Sequence, residues 1–375
     1  MPCLNEAATV GRCVEQAFAA LRRFGIDGEV VVADNGSTDG SREIAAEAGA
    51  RVVDAKTRGY GAALAAGIAA ARGTYVLMGD ADLTYDFGSM DLFVERLRAG
   101  DDLVMGNRFK GGVAKGAMPF LHRWIGNPVL SYLGRLFYRS DIGDFHCGLR
   151  AFRRDRIVAL DLRTTGMEYA TEMVVKSALH GLRVSEVPAT LAPDLRDRAP
   201  HLRTWRDGWR HLRFMLLYTP RWLFLYPGAL LMLIGALVML WLLPGPQRAG
   251  SVSFDLHTIV YAAVAMIIGY QAVVFALFTK TFAITEGLLP PDRRLDRLYR
   301  YVTLETGLVF GFAALIVGVV GSLYAVGVWT SRSFGPIDES ERTLRIVIVS
   351  STAMALGLET ILSSFFLSVL GLRRR

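Results

Sequence analysis

Tyr75-Val76-Leu77-Met78-Gly79-Asp80-Ala81-Asp82 is a short apolar run that ends abruptly in two carboxylates separated by one alanine. Side chains on an extended strand alternate, so Asp80 and Asp82 are expected on one side of it. Two hard oxygen ligands at that spacing suit Mg2+ or Mn2+, which usually completes its shell with substrate phosphates. The carboxyl end of a strand in an open α/β sheet is also where such folds bind ligands. An Asp-x-Asp at the start of a solvated loop looks the same, and the neighbouring segments decide between the two.

Upstream, Glu29-Val30-Val31-Val32-Ala33 is a second β-branched run, and it also ends in an acid, at Asp34-Asn35-Gly36-Ser37-Thr38-Asp39-Gly40-Ser41. Its Asn-Gly and Asp-Gly steps mark turns, and a helical pattern follows over 41–48. Taken alone this is also what a strand-turn-helix connection without a ligand looks like. Between the two runs lies Lys56-Thr57-Arg58-Gly59-Tyr60-Gly61-Ala62-Ala63-Leu64, which leads into an Ala-rich helix ending near Arg72. Its glycines permit close backbone approach to a ligand, and Lys56 and Arg58 can meet phosphate charge. Two strand-end acids with a Gly-rich stretch between them are harder to read as bare connections than either one alone.

Pro2-Cys3-Leu4-Asn5-Glu6, Asp34-Asn35-Gly36-Ser37, Gly59-Tyr60-Gly61 and Asp80-Ala81-Asp82 resemble, in order and spacing, the inverting family-two glycosyltransferases. Gly106-Asn107-Arg108-Phe109 and Asp144-Phe145-His146-Cys147-Gly148-Leu149-Arg150-Ala151-Phe152 are similar to the polyprenyl-phosphate branch, the dolichol-phosphate mannose and glucose synthases. Glu172 and Glu186-Val187-Pro188 continue that likeness, which covers roughly residues 1–220. The resemblance implies an α/β GT-A (Rossmann-like) catalytic domain. It also implies roles residue by residue. Asp34 would hydrogen-bond the nucleotide base or ribose, with Pro2 and Glu6 lining the same pocket and Gly59 and Gly61 beside it. Asp80 and Asp82 would hold the divalent metal on the diphosphate. Arg108 and Arg123 would meet the acceptor phosphate, unless they are simply surface or membrane-facing cations. Asp144 and Arg150 would belong to the acceptor side. The family's first strand normally leads into Pro-x-Leu-Asn-Glu, whereas here that motif starts at Met1. A start site several residues further upstream is the expectation, since loss of a central strand would bare the edges of two neighbours.

At 375 residues the chain has room for a core of about 200 residues and a further unit. Its hydrophobic content of 52% is high for a purely soluble enzyme, and the last third accounts for it. The runs 222–243, 256–283, 303–329 and 344–370 are each long enough to cross a hydrocarbon core of about 30 Å. The expected organisation is a GT-A domain over 1–200, an interfacial helix over 201–221 and an all-α four-helix transmembrane domain over 222–375. Residues 1–30 carry scattered charges and no apolar core, so no secretory signal is expected there. Cys3, Cys13 and Cys147 are too few and too odd a set for a disulfide framework and suit a reducing compartment.

Charge sets the expected orientation. The second loop carries Lys280, Arg293, Arg294, Arg297 and Arg300, and the tail adds Arg373, Arg374 and Arg375. The first loop has Arg248; the third has Arg332 and Arg342 beside Asp338, Glu339 and Glu341. The positive-inside rule then places the catalytic domain, both termini and the second loop in the cytoplasm, in a multi-pass inner-membrane protein. The net charge of +7 reads against anionic lipid. Nucleic acid is not an expected partner, because the basic residues follow apolar segments and no reader motif occurs. In 201–216, Leu202, Trp205, Trp209, Leu212 and Leu216 share one helical face, with Arg203, Arg206, Arg210 and Arg213 largely elsewhere. That suits a lipid interface, or else a core helix with solvated arginines. The run 118–137, with Arg123, Trp124 and Arg135, is a second such segment. In the fourth span, Glu359 is expected to be protonated and bonded to a neighbour such as Gln271. Gly311, Gly318 and Gly321 are expected at close helix contacts.

An inverting transfer to a hydroxyl normally wants a general base, and no base motif follows the metal site in the sequence. A lipid phosphate is already ionised near neutral pH, so positioning by arginine can suffice. The expected reaction is therefore transfer of one hexose from a nucleotide sugar, UDP-glucose or GDP-mannose in type, to a polyprenyl phosphate. A processive polysaccharide synthase is a weaker reading: Phe120-Leu121-His122-Arg123-Trp124 lacks the glutamine of the Gln-x-x-Arg-Trp motif and comes too early. A non-catalytic nucleotide-sugar-binding scaffold is the remaining class. A homo-oligomer is compatible with all three.

Overall fold

The computed structural model describes residues 1–194, 204–335 and 340–371. The chain forms two compact units, Met1–Met215 and Leu216–Arg375. In the first, strands and helices alternate: β1 (Pro2–Cys3), α1 (Val10–Arg23), β2 (Val31–Asp34), α2 (Ser41–Glu47), β3 (Arg51–Asp54), α3 (Tyr60–Ala70), β4 (Tyr75–Met78), α4 (Met90–Arg98) and β5 (Leu103–Asn107). Then follow α5 (Asn127–Tyr138), β6 (Arg150–Arg153), α6 (Tyr169–Leu179), β7 (Val184–Pro188) and α7 (Thr204–Leu217). Helix α1 forms because Val10, Cys13, Val14, Ala17 and Ala20 recur at helical spacing and all five are buried. β5 lies in the core, with all five of its residues buried, as a near-continuous apolar run predicts.

The strands pair in two pieces. β1, β2 and β3 are parallel in that order. β4, β6, β5 and β7 form the other piece, in which β6 runs antiparallel to both neighbours and β5 runs parallel to β7. Between the pieces is a cavity of about 670 Å³, lined on one side by Val30, Val31 and Ala33 and on the other by Val76, Leu77 and Met78, with Glu29, Arg72 and Arg98 also on its wall.

One local expectation needs correcting. β4 ends at Met78, so Asp80 and Asp82 lie in the turn beyond it rather than on the strand. Strand alternation therefore does not orient them. Leu83, just after, has φ 61°, which a turn this tight imposes at some cost to a branched residue.

In the second unit four stretches are long and apolar enough to cross a membrane: Arg221–Leu242, which contains α8 (Tyr226–Leu242), α9 (Leu256–Thr285), α10 (Leu304–Ser331), and Arg342–Gly371 within α11 (Ser340–Gly371). A short hairpin, β8 (Gln247–Ala249) and β9 (Val252–Phe254), joins the first pair. Glycines lie where helix backbones meet: a Cβ on Gly311 would stand 2.9 Å from the Gly357 carbonyl, and one on Gly318 would stand 2.6 Å from that of Ser350. Glu359 makes no hydrogen bond to Gln271. Its neighbour Thr360 instead bonds Tyr270 across the helices at 2.6 Å. Of the charges used to orient the chain, Asp338, Glu339 and Arg373 to Arg375 fall outside the described residues, as do Leu202 and Arg203 of the amphipathic segment.

Candidate active site

Asp34 is the last residue of β2 and is buried. Its carboxylate accepts from the backbone N–H groups of Gly36 (3.1 Å) and Ser37 (3.2 Å), with Arg42 at 3.5 Å. The Pro2–Glu6 segment is laced onto this turn. Ser37 Oγ accepts from the Asn5 N–H (2.8 Å), Asn5 Oδ1 from the Thr38 N–H (2.8 Å), and Ser41 Oγ from the N–H of buried Glu6 (2.7 Å). Asn5 takes φ 57° to do this, a conformation asparagine tolerates.

Asn35 pins the Gly-rich stretch to the same turn. Its Oδ1 accepts from the Gly59 N–H and its Nδ2 donates to the Thr57 carbonyl, both at 2.7 Å. Gly59 has φ 134°, and a Cβ there would stand 2.2 Å from the Thr165 carbonyl. A Cβ on Gly61 would meet Tyr169 Cβ at 2.5 Å. What closes on these two glycines is thus the chain's own 164–169 segment. Buried Glu172 holds that segment, accepting from the Thr164 N–H (2.8 Å) and hydroxyl (2.6 Å) while paired with Lys176 at 2.9 Å.

The Asp80-Ala81-Asp82 turn is fixed from three directions. The Tyr60 hydroxyl donates to Asp80 Oδ1 at 2.9 Å. Burial, and then Asp80 itself, hold the Tyr60 hydroxyl well above the usual phenol range, so it stays a donor. Asp82, almost fully buried, accepts from the Thr84 N–H (3.0 Å) and hydroxyl (2.6 Å). Thr9, which follows the β1 motif, donates to the Ala81 carbonyl at 2.7 Å and so ties the two loops together. Among the described residues no group of three or more His, Cys, Asp or Glu is placed to hold a metal. Two carboxylates on one turn nevertheless fit a hard divalent ion that takes its remaining ligands from a diphosphate.

The 144–150 segment abuts this turn. A Cβ on Gly148 would stand 2.9 Å from Asp80 Oδ2, and the Gly148 N–H donates to the Tyr85 hydroxyl at 2.8 Å. Arg108 and Asp144 form a buried two-point ion pair, Nε to Oδ2 at 2.7 Å and Nη2 to Oδ1 at 2.8 Å. Glu186 clamps the pair from below, accepting from the Gly143 (2.6 Å) and Asp144 (3.0 Å) N–H groups and from Asn107 Nδ2 (3.0 Å). Arg150 is fully buried and directs its donors at the carbonyls of Cys147 (2.7 Å) and Ala170 (2.5 Å). His146 packs against His211 of α7 with ring centroids 4.9 Å apart and the ring planes tilted by 60°, and its Nε2 is buried without a protein partner. Burial first, then His211, Arg108 and Arg150, keep His146 well below the usual imidazole range and therefore neutral.

Arg123 lies in a separate setting, at the start of the helical run that becomes α5, with its guanidinium 5.6 Å from the Trp124 ring. That run exposes Phe120, Trp124, Ile125, Val129 and Tyr132. α7 likewise turns Trp205 and Trp209 outward and buries Asp207, Phe214 and Met215. Asn35 and Tyr60 lie inside the motifs of the sequence, which do not encode these contacts, and Thr9, Tyr85 and His211 lie outside every one of them.

A carboxyl-edge site of this build, on a unit followed by four membrane-length helices, defines a membrane protein with a GT-A catalytic unit. Residues 1–158 match the family model for glycosyl transferase family 2, and residues 277–371 match that for the glycosyltransferase family 2 C-terminal transmembrane region. The low-salt glycan biosynthesis hexosyltransferase Agl6 of Haloferax volcanii is 37% identical over 99% of this chain and 88% of its own. The dolichyl-phosphate hexose transferase of the same organism is 34% identical over 50% of this chain and 79% of its own. A solved structure of glucosyl-3-phosphoglycerate synthase from Mycobacterium tuberculosis, with Mn2+ and UDP-glucose, is 21% identical, with a TM-score of 0.46 over 58% of this chain and 77% of that one. The chain belongs to the family-two glycosyltransferases.

Proposed function

We propose that this protein transfers a single hexose from a nucleotide sugar to a polyprenyl phosphate at the cytoplasmic face of the membrane, with inversion at the sugar carbon. The observation that carries the reading is the abutment of two sites: the Asp80–Asp82 turn, and the 144–150 segment that positions the Arg108–Asp144 pair. One suits the diphosphate of a donor, and the other sets an arginine, held in place by its Asp144 partner, on the neighbouring segment. The name of the Haloferax volcanii dolichyl-phosphate hexose transferase supports the same acceptor class.

The chain's own groups act in sequence. Asp34 and the 36–37 turn receive the base or ribose, and the Gly59–Gly61 loop closes beside them. Asp80 and Asp82 would hold Mg2+ or Mn2+, which when bound neutralises the diphosphate as the glycosidic bond breaks. Tyr60 keeps Asp80 oriented through its hydroxyl. A lipid phosphate attacks with an oxygen that is already ionised. Orientation then supplies much of the rate, since a well-placed pair of reactants gains on the order of 10⁵ M or more in effective concentration. Arg108 gives the phosphate a fixed partner. The exposed apolar faces of α5 and α7 bring this edge to the lipid surface, where Trp124, Trp205 and Trp209 sit at headgroup depth. Lys280 and the 293–300 cations keep the second loop on the cytoplasmic side of an inner membrane.

The test is an acceptor comparison using the full chain in vesicles, with polyprenyl phosphate set against the corresponding free polyprenol. Transfer confined to the phosphate is the expected result. Equal transfer to the alcohol would mean that a base operates here and would overturn the acceptor assignment.

A further inference from the structure

Among the described residues, His146 Nε2 and Glu168 Oε2 are buried side-chain atoms without a protein hydrogen-bond partner. Leaving such atoms unsatisfied is costly, so a fold that keeps two of them close together uses them for something else. They stand on the two segments that flank the site. His146 precedes Gly148 by two residues, and a Cβ on Gly148 would stand 2.9 Å from Asp80 Oδ2. Glu168 belongs to the 164–169 segment that closes on Gly59 and Gly61, and its carboxylate folds back onto Gly166, where a Cβ would stand 2.5 Å from Oε2.

His211 of α7 neighbours both. Its ring packs against that of His146, and its Nδ1 is bonded to Thr171 Oγ1 at 2.7 Å. Burial holds the His211 imidazole below its usual range, while Asp207 and Glu168 pull against that shift, so the Glu168 carboxylate is within electrostatic reach. Asp207 is already answered by Arg210 at 3.6 Å and Arg206 at 3.8 Å. Glu168 and His146 are left facing the site. Both residues are only partly buried although these two atoms are shielded, so a side-chain rotation presents them.

The chemistry of the pair narrows the ligand. A carboxylate repels phosphate. A resident cation does not fit either, because among the described residues no group of three or more His, Cys, Asp or Glu is placed to hold one. A neutral group bearing hydroxyls does fit, since a carboxylate accepts from one O–H and a neutral imidazole can donate to or accept from another. We infer that His146 and Glu168 are specificity-determining residues that hydrogen-bond the hydroxyl groups of the transferred hexose, a reading that rests on the donor site proposed at Asp80 and Asp82. The hexose is bonded directly to the donor diphosphate, so it meets the groups that flank the diphosphate turn. Hexoses differ in the orientation of their hydroxyls, and a site built to bond a given hydroxyl rejects a sugar that lacks it there.

The test is isothermal titration of the full chain in detergent with Mn2+, using UDP-glucose, UDP-N-acetylglucosamine and GDP-mannose beside UDP and GDP. Glu168→Met keeps the length of the side chain and removes the carboxylate; His146→Phe keeps a ring against His211 and removes Nε2. For the nucleotide sugar that the unmodified chain binds most tightly, each variant should lose about tenfold or more in affinity. The matching nucleoside diphosphate should bind as before, and the thermal midpoint should not fall, because neither atom has a protein partner to lose. Deoxy analogues of that nucleotide sugar, offered to the unmodified chain, serve where a variant does not fold, and at least one should lose affinity by the same order. Equal weakening of the nucleotide sugar and the nucleoside diphosphate would overturn the inference and assign the two residues a structural role. Unchanged binding of the nucleotide sugar by both variants, or of every deoxy analogue by the unmodified chain, would also overturn it while leaving the donor site intact. An unmodified chain that binds no nucleotide at all would instead remove the donor site, and the hexose contacts with it.

Discussion

Arg108 and Asp144 show what a motif residue does once it is placed. The sequence marks both, one in Gly106-Asn107-Arg108-Phe109 and the other 36 positions later, yet gives no hint that they bond each other. Both are buried, and the carboxylate is also held by the Arg108 backbone N–H at 3.1 Å. Removing one partner leaves an uncompensated buried charge, which typically costs about 3–5 kcal/mol. We expect Arg108→Ala to lower stability by that order and the Arg108→Ala, Asp144→Asn pair to recover part of it. Thermal unfolding of the four proteins as a double-mutant cycle measures the coupling. Additive losses would mean that the pair is not an energetic unit. Arg150 shows the opposite case: a motif cation whose donors end on the main-chain carbonyls of Cys147 and Ala170.

At the scale of elements, glycine spacing decides how closely the membrane helices approach. Gly318 faces α11, where a Cβ would stand 2.4 Å from Met354 Cγ, whereas a Cβ on Gly327 of the same helix meets nothing within 4 Å. Gly318→Leu should therefore destabilise the helix pair by roughly 1–3 kcal/mol, the usual cost of overpacking, and Gly327→Leu should do so far less. Denaturant titration in detergent compares them; equal losses would contradict the packing assigned to α10 and α11. Elements with local causes were readable in advance. The helical repeat of α1, the apolar run of β2 ending in Asp34, and the four long spans all follow from spacing within one segment. The contacts that build the site were not. Thr9 meets Ala81 across 72 positions, Tyr60 meets Asp80 across 20, and Asn35 meets Gly59 across 24. Such pairs follow from how the strands are ordered, which no local pattern encodes. β4 stops at Met78, four residues short of Asp82, for a related reason. An apolar run shows where a strand can lie, while the tertiary bonds of Thr9 and Tyr60 decide where the turn begins.

For the whole molecule, a GT-A unit precedes four membrane-length helices, and Trp124, Trp205 and Trp209 are exposed on the catalytic unit. In the proposed reaction, sugar moves onto a lipid phosphate through the Asp80–Asp82 site. Membrane fractions would be given radiolabelled UDP-glucose, UDP-N-acetylglucosamine or GDP-mannose together with a polyprenyl phosphate, and Asp82→Ala would be run in parallel. Losing one electrostatic stabiliser of a transition state commonly costs about 10²–10³ in rate. Label should enter the organic phase from one donor and fall by at least that order in the variant. Label entering the lipid fraction equally with Asp82→Ala, or from no donor while the nucleotide sugar still binds, would contradict it.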